Sequence, residues 1–195
     1  VLRATAGSCI TTIITAAGSL RAWPELLPTL LAALDLPDAC AMDGALSALA
    51  KLCEDSAEVL AADGGCAAAP PSSHAPPSPA PLDALIPRLI ALLGDEREAV
   101  RRNAIAALSH FVRLMPEALR TNVDAYLGAT DAIKLDPSAE VRRYVCQALV
   151  HLLEVQLERL RPSMAVIVDY MLRATADDDE LVALEACEFW AALAE

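Results

Sequence analysis

The sequence predicts an all-α fold, a solenoid of antiparallel helix pairs stacked into an α-α superhelix, and three observations predict it. Apolar residues recur at helical spacing along most of the chain, no stretch alternates as a half-buried strand would, and one segment returns twice in constant register. Asp95-Glu-Arg-Glu-Ala-Val100-Arg101 is echoed by Asp136-Pro-Ser-Ala-Glu-Val141-Arg142, and more loosely by Asp177-Asp-Asp-Glu-Leu-Val182, with 41 residues between each aspartate and the next. The same offset carries Ala104 to Val145 and Ala186, Leu108 to Leu149 and Trp190, and Phe111 to Leu152 and Leu193. Within each copy those positions step by four, four and three from the valine at 100, 141 or 182, which is one face of an α-helix.

Each unit has a second apolar segment ahead of that helix, seen in Leu85-Ile-Pro-Arg-Leu-Ile-Ala-Leu-Leu93 and Met164-Ala-Val-Ile-Val-Asp-Tyr-Met-Leu172. A proline or an acidic residue marks its start, as a first helical turn prefers. A unit is therefore a helix, a short turn opening with Asp, and a second helix. Towards the amino terminus, Ala45-Leu46-Ser47-Ala48-Leu49 aligns with Ala104-Ile105-Ala106-Ala107-Leu108 at an offset of 59, which is 18 more than the repeat. The extra length falls in residues 61–81, which hold six of the 13 prolines and read as a flexible, partly polyproline insertion. An earlier copy begins at Leu2-Arg3, with Ala6 and Ile10 in the places of Ala104 and Leu108. Residues 1–195 thus form one solenoid, a leading second helix followed by four helix pairs, with the insertion inside it. The chain opens without Met in what reads as mid-helix, which predicts a piece of a longer stack. A period near 40 with two helices per unit is the HEAT or armadillo signature.

The repeated Asp and Arg have a mechanical reading. Asp caps the second helix, and Arg reaches the acidic side chain of the neighbouring repeat, so Asp95, Arg101, Asp136 and Arg142 form a structural ladder tying adjacent units.

Composition narrows the function. Lys and Arg number 15 against 27 Asp and Glu, a formal net charge of −12, which works against sequence-independent nucleic-acid binding and favours a solvated surface or a basic partner. The uncharged run between Arg3 and Arg21 carries Thr5, Ser8, Thr11, Thr12, Thr15 and Ser19 and is too polar and short to span a membrane. Six cysteines (Cys9, Cys40, Cys53, Cys66, Cys146 and Cys187) show no CxxC spacing and read as small buried hydrophobes in a reducing compartment. Cys146 and Cys187 lie 41 residues apart, on successive units too distant for a disulfide. His110 and His151 occupy one rung of successive units in the same way and read as partly buried structural side chains rather than metal ligands, while His74 lies in the insertion. No phosphate-cradling glycine loop, HExxH, GxSxG or calcium-loop pattern occurs, and Asp177-Asp178-Asp179-Glu180 is explained by a helix start. The expectation is a binding protein, with no enzymatic activity, cofactor or metal.

Four segments carry a family resemblance: Trp23-Pro-Glu-Leu-Leu-Pro-Thr-Leu-Leu31, Cys53-Glu-Asp-Ser-Ala-Glu-Val-Leu60, Gln147-Ala-Leu-Val-His-Leu-Leu-Glu-Val155 and Val182-Ala-Leu-Glu-Ala-Cys-Glu-Phe-Trp190. They resemble the amino-terminal half of the transportin type of nuclear import receptor, in the karyopherin-beta (importin-beta) family. The resemblance covers nearly the whole chain apart from the insertion, which departs from the family pattern. It implies a HEAT superhelix whose amino-terminal arch binds the small GTPase Ran in its GTP form, with the carboxy-terminal arch holding cargo nuclear localisation signals. The full-length receptor would also meet nucleoporins, act as a monomer, insert in no membrane and shuttle between cytoplasm and nucleus. In such receptors the second helices face inward, which makes Asp43, Lys51, Glu54, Asp55 and Glu58 the candidates for Ran contact. The alternative is a generic HEAT-repeat protein-protein scaffold with no nucleotide-dependent partner.

Overall fold

The computed structural model describes residues 2–17, 23–36, 38–64 and 81–194. Ten α-helices and no strand occur among the described residues: α1 (Leu2–Ala17), α2 (Leu26–Leu34), α3 (Ala39–Gly64), α4 (Pro81–Leu92), α5 (Glu98–Val112), α6 (Glu117–Thr121), α7 (Val123–Ala132), α8 (Ala139–Leu160), α9 (Met164–Ala174) and α10 (Glu180–Leu193). A 3-10 turn over Arg161–Ser163 joins α8 to α9. The fold is the all-α stack of helix pairs that the 41-residue register predicts.

Helices α1, α3, α5, α8 and α10 lie in a row, each packed on the next, while α2, α4 and α9 pack on α3, α5 and α10 to form the second layer. The periodic side chains explain the row. Val100, Ala104, Leu108 and Phe111 of α5 and Val141, Val145 and Leu152 of α8 are essentially closed to solvent, and each fully buried Leu or Phe contributes about 1.5–3 kcal/mol. Alanines alternate with larger residues here, as Ala104, Ala107 and Ala148 are each 0% exposed, which lets neighbouring helices approach closely. In α10 the expected face departs from the pattern: Trp190 is half-buried and Leu193 is 43% exposed, while Phe189 is fully buried. Among the described helices α10 packs on α8 and α9, so the side that α5 turns to α8 meets no described helix in α10.

Three second helices break at one register position. Ser56 in α3 and Gln156 in α8 leave helical geometry at φ −139°, and Met115, which stands at the same place after α5, adopts φ 42°. Met115 precedes Pro116, whose ring disfavours helical geometry in the residue before it, so α5 ends there and the chain restarts as α6. The residue that follows by four positions is a leucine each time, Leu60, Leu119 and Leu160, and each is 0% exposed. The break redirects the helix end so that this leucine returns to the core.

The expected insertion needs narrower bounds. Helix α3 runs through Ala61, Ala62, Asp63 and Gly64, because alanine keeps a helix going, and Pro81 opens α4, where a missing N–H costs nothing. The remainder, residues 65–80, with Cys66 and His74, lies outside the described residues. Cysteine burial is also divided: Cys53 and Cys146 are buried, whereas Cys9, Cys40 and Cys187 are exposed. Burial pushes the Cys53 thiol up to about 12, so it is an inert core group. No helix among the described residues is long and apolar enough to cross a membrane.

Candidate functional site

The row of second helices presents one continuous face, and its rigidity comes from rungs between the turns that precede those helices. Arg101 of α5 donates from Nε to Asp136 Oδ2 at 2.6 Å and from Nη2 to Asp136 Oδ1 at 3.1 Å. Its remaining nitrogen, Nη1, donates to the carbonyls of Asp95 and Glu96, each at 2.9 Å. Arg142 of α8 repeats this one unit on: Nε and Nη2 each reach Asp177 at 2.8 Å, and Nη1 reaches the carbonyls of Asp136 and Pro137. A planar guanidinium therefore clamps its own turn and the next repeat's carboxylate together, a geometry that lysine cannot reproduce.

The aspartates do not cap the second helices directly. Asp136 Oδ1 accepts the N–H of Ser138, Asp177 Oδ1 that of Asp179, and Asp95 Oδ1 that of Arg97, two residues on in each case. The N-cap positions are Arg97, Ser138 and Asp179, and of these Asp179 accepts from the N–H groups of Leu181 and Val182. Each repeated Asp thus closes an Asx turn before the helix, which holds its carboxylate edge towards the preceding repeat. Burial pushes the Asp136 carboxyl up, but the Arg101 guanidinium and the Ser138 N–H outweigh it and leave it below the ordinary carboxylate value. For Asp177 the Arg142 guanidinium is the leading cause of the same downward shift.

Asp95 lacks the partner that Asp136 and Asp177 have. Met42 occupies the register position of Arg101 in the preceding repeat, and Arg97 fills the gap from the same turn. Arg97 Nε and Nη2 donate to Asp95 at 2.9 Å, and Nη2 also lies 2.9 Å from Met42 Sδ. Spacing alone placed Asp95 in the ladder; the methionine at position 42, in the same register, was the signal that its rung is made locally.

The expected contact residues lie on α3. Lys51 donates to Glu54 at 3.1 Å and to Asp55 at 3.0 Å, so these three form one surface ion cluster, and its hydrogen bonds to Asp55 and then to Glu54 raise the Lys51 pKa. Asp43 is half-buried two turns earlier, and Glu58 is exposed beyond the break at Ser56. Three of the five residues are therefore brought together, and Asp43 and Glu58 stand apart from them.

A cleft missed by sequence reasoning opens between α5 and α8 on the same face. It has a volume of about 330 Å³ and is lined by His110, Arg113, Arg143, Tyr144, Gln147 and His151, with Ser109 at its side. Burial lowers the pKa of both histidines. No group of three or more His, Cys, Asp or Glu side chains among the described residues is arranged to hold a metal ion. The 41-residue pairing of His110 with His151 was the available sign of this cleft.

Helix pairs in a 41-residue register, joined turn to turn by Arg–Asp clamps, define the class: a HEAT-repeat solenoid. Residues 85–115 match the HEAT repeat family. Within that class the chain is homologous along its whole length to the transportins of the importin-beta family. It is 43% identical over 195 residues to Transportin-1 of Mus musculus and 42% identical over 195 residues to Importin subunit beta-2 of Schizosaccharomyces pombe, covering 100% of this chain and 20% of each relative. Transportin of Dictyostelium discoideum is 39% identical over 194 residues. The chain thus spans about a fifth of the length of the curated relatives it matches. Among solved structures, an engineered protein superposes with a TM-score of 0.66 at 21% identity, covering 96% of this chain and 67% of that one. The Kap95:Nup1 complex does so at 0.61 and 18%, covering 97% of this chain and 21% of that one. Both likenesses concern the fold.

Proposed function

We propose that this chain is part of a nuclear import receptor, in the amino-terminal arch that binds Ran-GTP, and that it works by docking proteins rather than by catalysis. The observation that carries this reading is identity of 42–43% to transportins and importin beta-2 spread over the entire chain. A row of second helices suits the role, because a stack of repeats offers a long surface on which a globular partner can rest on several units at once. The Lys51, Glu54 and Asp55 cluster, with Asp43 and Glu58, is the proposed Ran contact, and an acidic surface favours association with a basic patch. Cargo with nuclear localisation signals, and nucleoporins, are partners of the full-length receptor, which shuttles between cytoplasm and nucleus as a monomer.

The test is binding of the full-length protein to Ran loaded with a non-hydrolysable GTP analogue or with GDP. Strong preference for the GTP form is expected, and equal affinity for the two would sink the reading. Charge reversal of Glu54 and Asp55 to Lys should slow association at low salt and have less effect at high salt, since exposed charges act mainly on encounter.

A further inference from the structure

We infer that the cleft between α5 and α8 is an acceptor site for a carboxylate side chain, Asp or Glu, presented by an extended acidic segment of a partner protein. The inference goes beyond the Ran reading, since none of the cleft's residues is among the five placed in that contact.

The cleft inverts the charge of its surroundings. In a chain of net charge −12, Arg113, Arg143, His110 and His151 line one cavity and no carboxylate does. The inversion arises from a substitution in the repeat. Arg102, one unit earlier, donates to Glu140 at 3.0 Å, but the residue that stands to Arg143 as Glu140 stands to Arg102 is Leu181. Arg143 consequently has no carboxylate at ion-pairing distance among the described residues. Its guanidinium sits 5.2 Å from the centroid of the Tyr144 ring, a stacked pose that leaves edge N–H groups free for a carboxylate. Arg113 is only loosely engaged, 4.0 Å from Glu154.

A second, independent observation points the same way. His151 Nδ1 is shielded from solvent and has no hydrogen-bond partner among the described residues. A buried polar nitrogen without a partner is costly, and a carboxylate in the cleft would receive its proton. The charged groups around the two histidines fix the pH sense. His110 faces Lys51, Glu54 and Asp55 of α3, while His151 faces Arg113 and His110 of α5 and Glu154 of its own helix. Glu185 of α10 feels Arg143 from the far side. Burial lowers the pKa of both histidines and a bound carboxylate favours their charged forms, so binding takes up a proton and tightens as pH falls.

The experiment measures binding of fluorescein-labelled peptides to the full-length protein by anisotropy at pH 6 and pH 8. The probes are a Glu-rich peptide, its Gln counterpart and a Gln peptide bearing one phosphoserine. The expected result is about tenfold weaker binding of the Gln peptide than of the Glu peptide. Arg143→Gln should weaken the Glu peptide by a similar factor, Arg102→Gln should leave it unchanged, and His151→Leu should flatten the gain at pH 6. Unaltered melting temperatures of Arg143→Gln and Arg102→Gln, both at half-buried positions of the face, separate binding from folding. Equal binding of the Glu and Gln peptides, or equal losses for Arg143→Gln and Arg102→Gln, would overturn the site. Selective binding of the phosphoserine peptide alone would overturn the carboxylate assignment.

Discussion

The ladder shows what a single side chain contributes to a stack of repeats. The side chains of Arg101 and Asp136 are 13% and 3% exposed, so their pairing is largely desolvated and geometry decides its worth. Removing one partner leaves the other buried without compensation. Arg101→Gln should therefore cost about 3 kcal/mol at neutral pH, measured by urea unfolding. The pH dependence has a fixed sign. Asp136 and Asp177 have folded pKa values below the ordinary one, so the stability they add is present above about pH 4 and is lost as pH falls through their depressed values. The gap between wild type and Arg101→Gln should narrow between pH 7 and pH 3, and a gap that stays constant would show that the Asp136 charge is not what the arginine serves. The converse change tests the missing rung. Met42→Arg combined with Arg97→Ser should rebuild the bidentate clamp on Asp95 and raise stability by about 1 kcal/mol, because Met42 already lies in the register and its buried place accommodates an arginine stem. An unchanged urea midpoint would mean that position 42 does not point at Asp95 as Arg101 points at Asp136.

At the scale of elements, helices α5, α8 and α10 were legible because small and apolar residues recur in them every 41 residues, and a register held twice leaves little freedom for another fold. The ends of those helices were not. Nothing in Ser56 or Gln156 announces a break, since neither is proline or glycine, and only Pro116 marks the equivalent place after α5. What the three have in common is the leucine four residues later, a tertiary contact invisible to local propensity. The Asx turns show the same limit. Asp spacing pointed to a helix start, but the N-cap falls two residues on in each case, because the Asp carboxylate accepts that residue's N–H in a turn before the helix. The charge of the cleft was hidden for a different reason: Leu181 stands where Glu140 stands one repeat before, which leaves Arg143 without the ion pair that Arg102 makes, and a helix face alone does not display a missing partner. Leu119→Ala tests the shared leucine. It should cost about 2–5 kcal/mol by leaving a cavity under the α5–α6 break, and hydrogen exchange should quicken first in α6 and α7. Rapid exchange confined to α5, with α6 protected, would show that the leucine does not anchor the restart.

At the scale of the whole molecule, a stack differs from a closed globule in how far a perturbation travels. Within the row each second helix packs mainly on the ones before and after it, and the Arg–Asp clamps likewise bridge one unit to the next, 35 residues along the chain. Stability in such an array is a sum of unit and nearest-neighbour terms rather than one all-or-none quantity. A docking surface made this way has a functional consequence, since a partner that spans several units couples them, whereas a ligand confined to the α5–α8 cleft acts on two. The arrangement makes a definite forecast for Phe189, which α10 buries fully against its neighbours. Phe189→Ala removes about 3–5 kcal/mol of packing, and hydrogen exchange of the full-length protein should show the loss in α10, α9 and α8. Protection in α3 and α1, three and four interfaces away, should be unaltered. Uniform loss from α1 to α10 would instead mean that the row unfolds as one cooperative body, and a contact at one end would then be felt at the other.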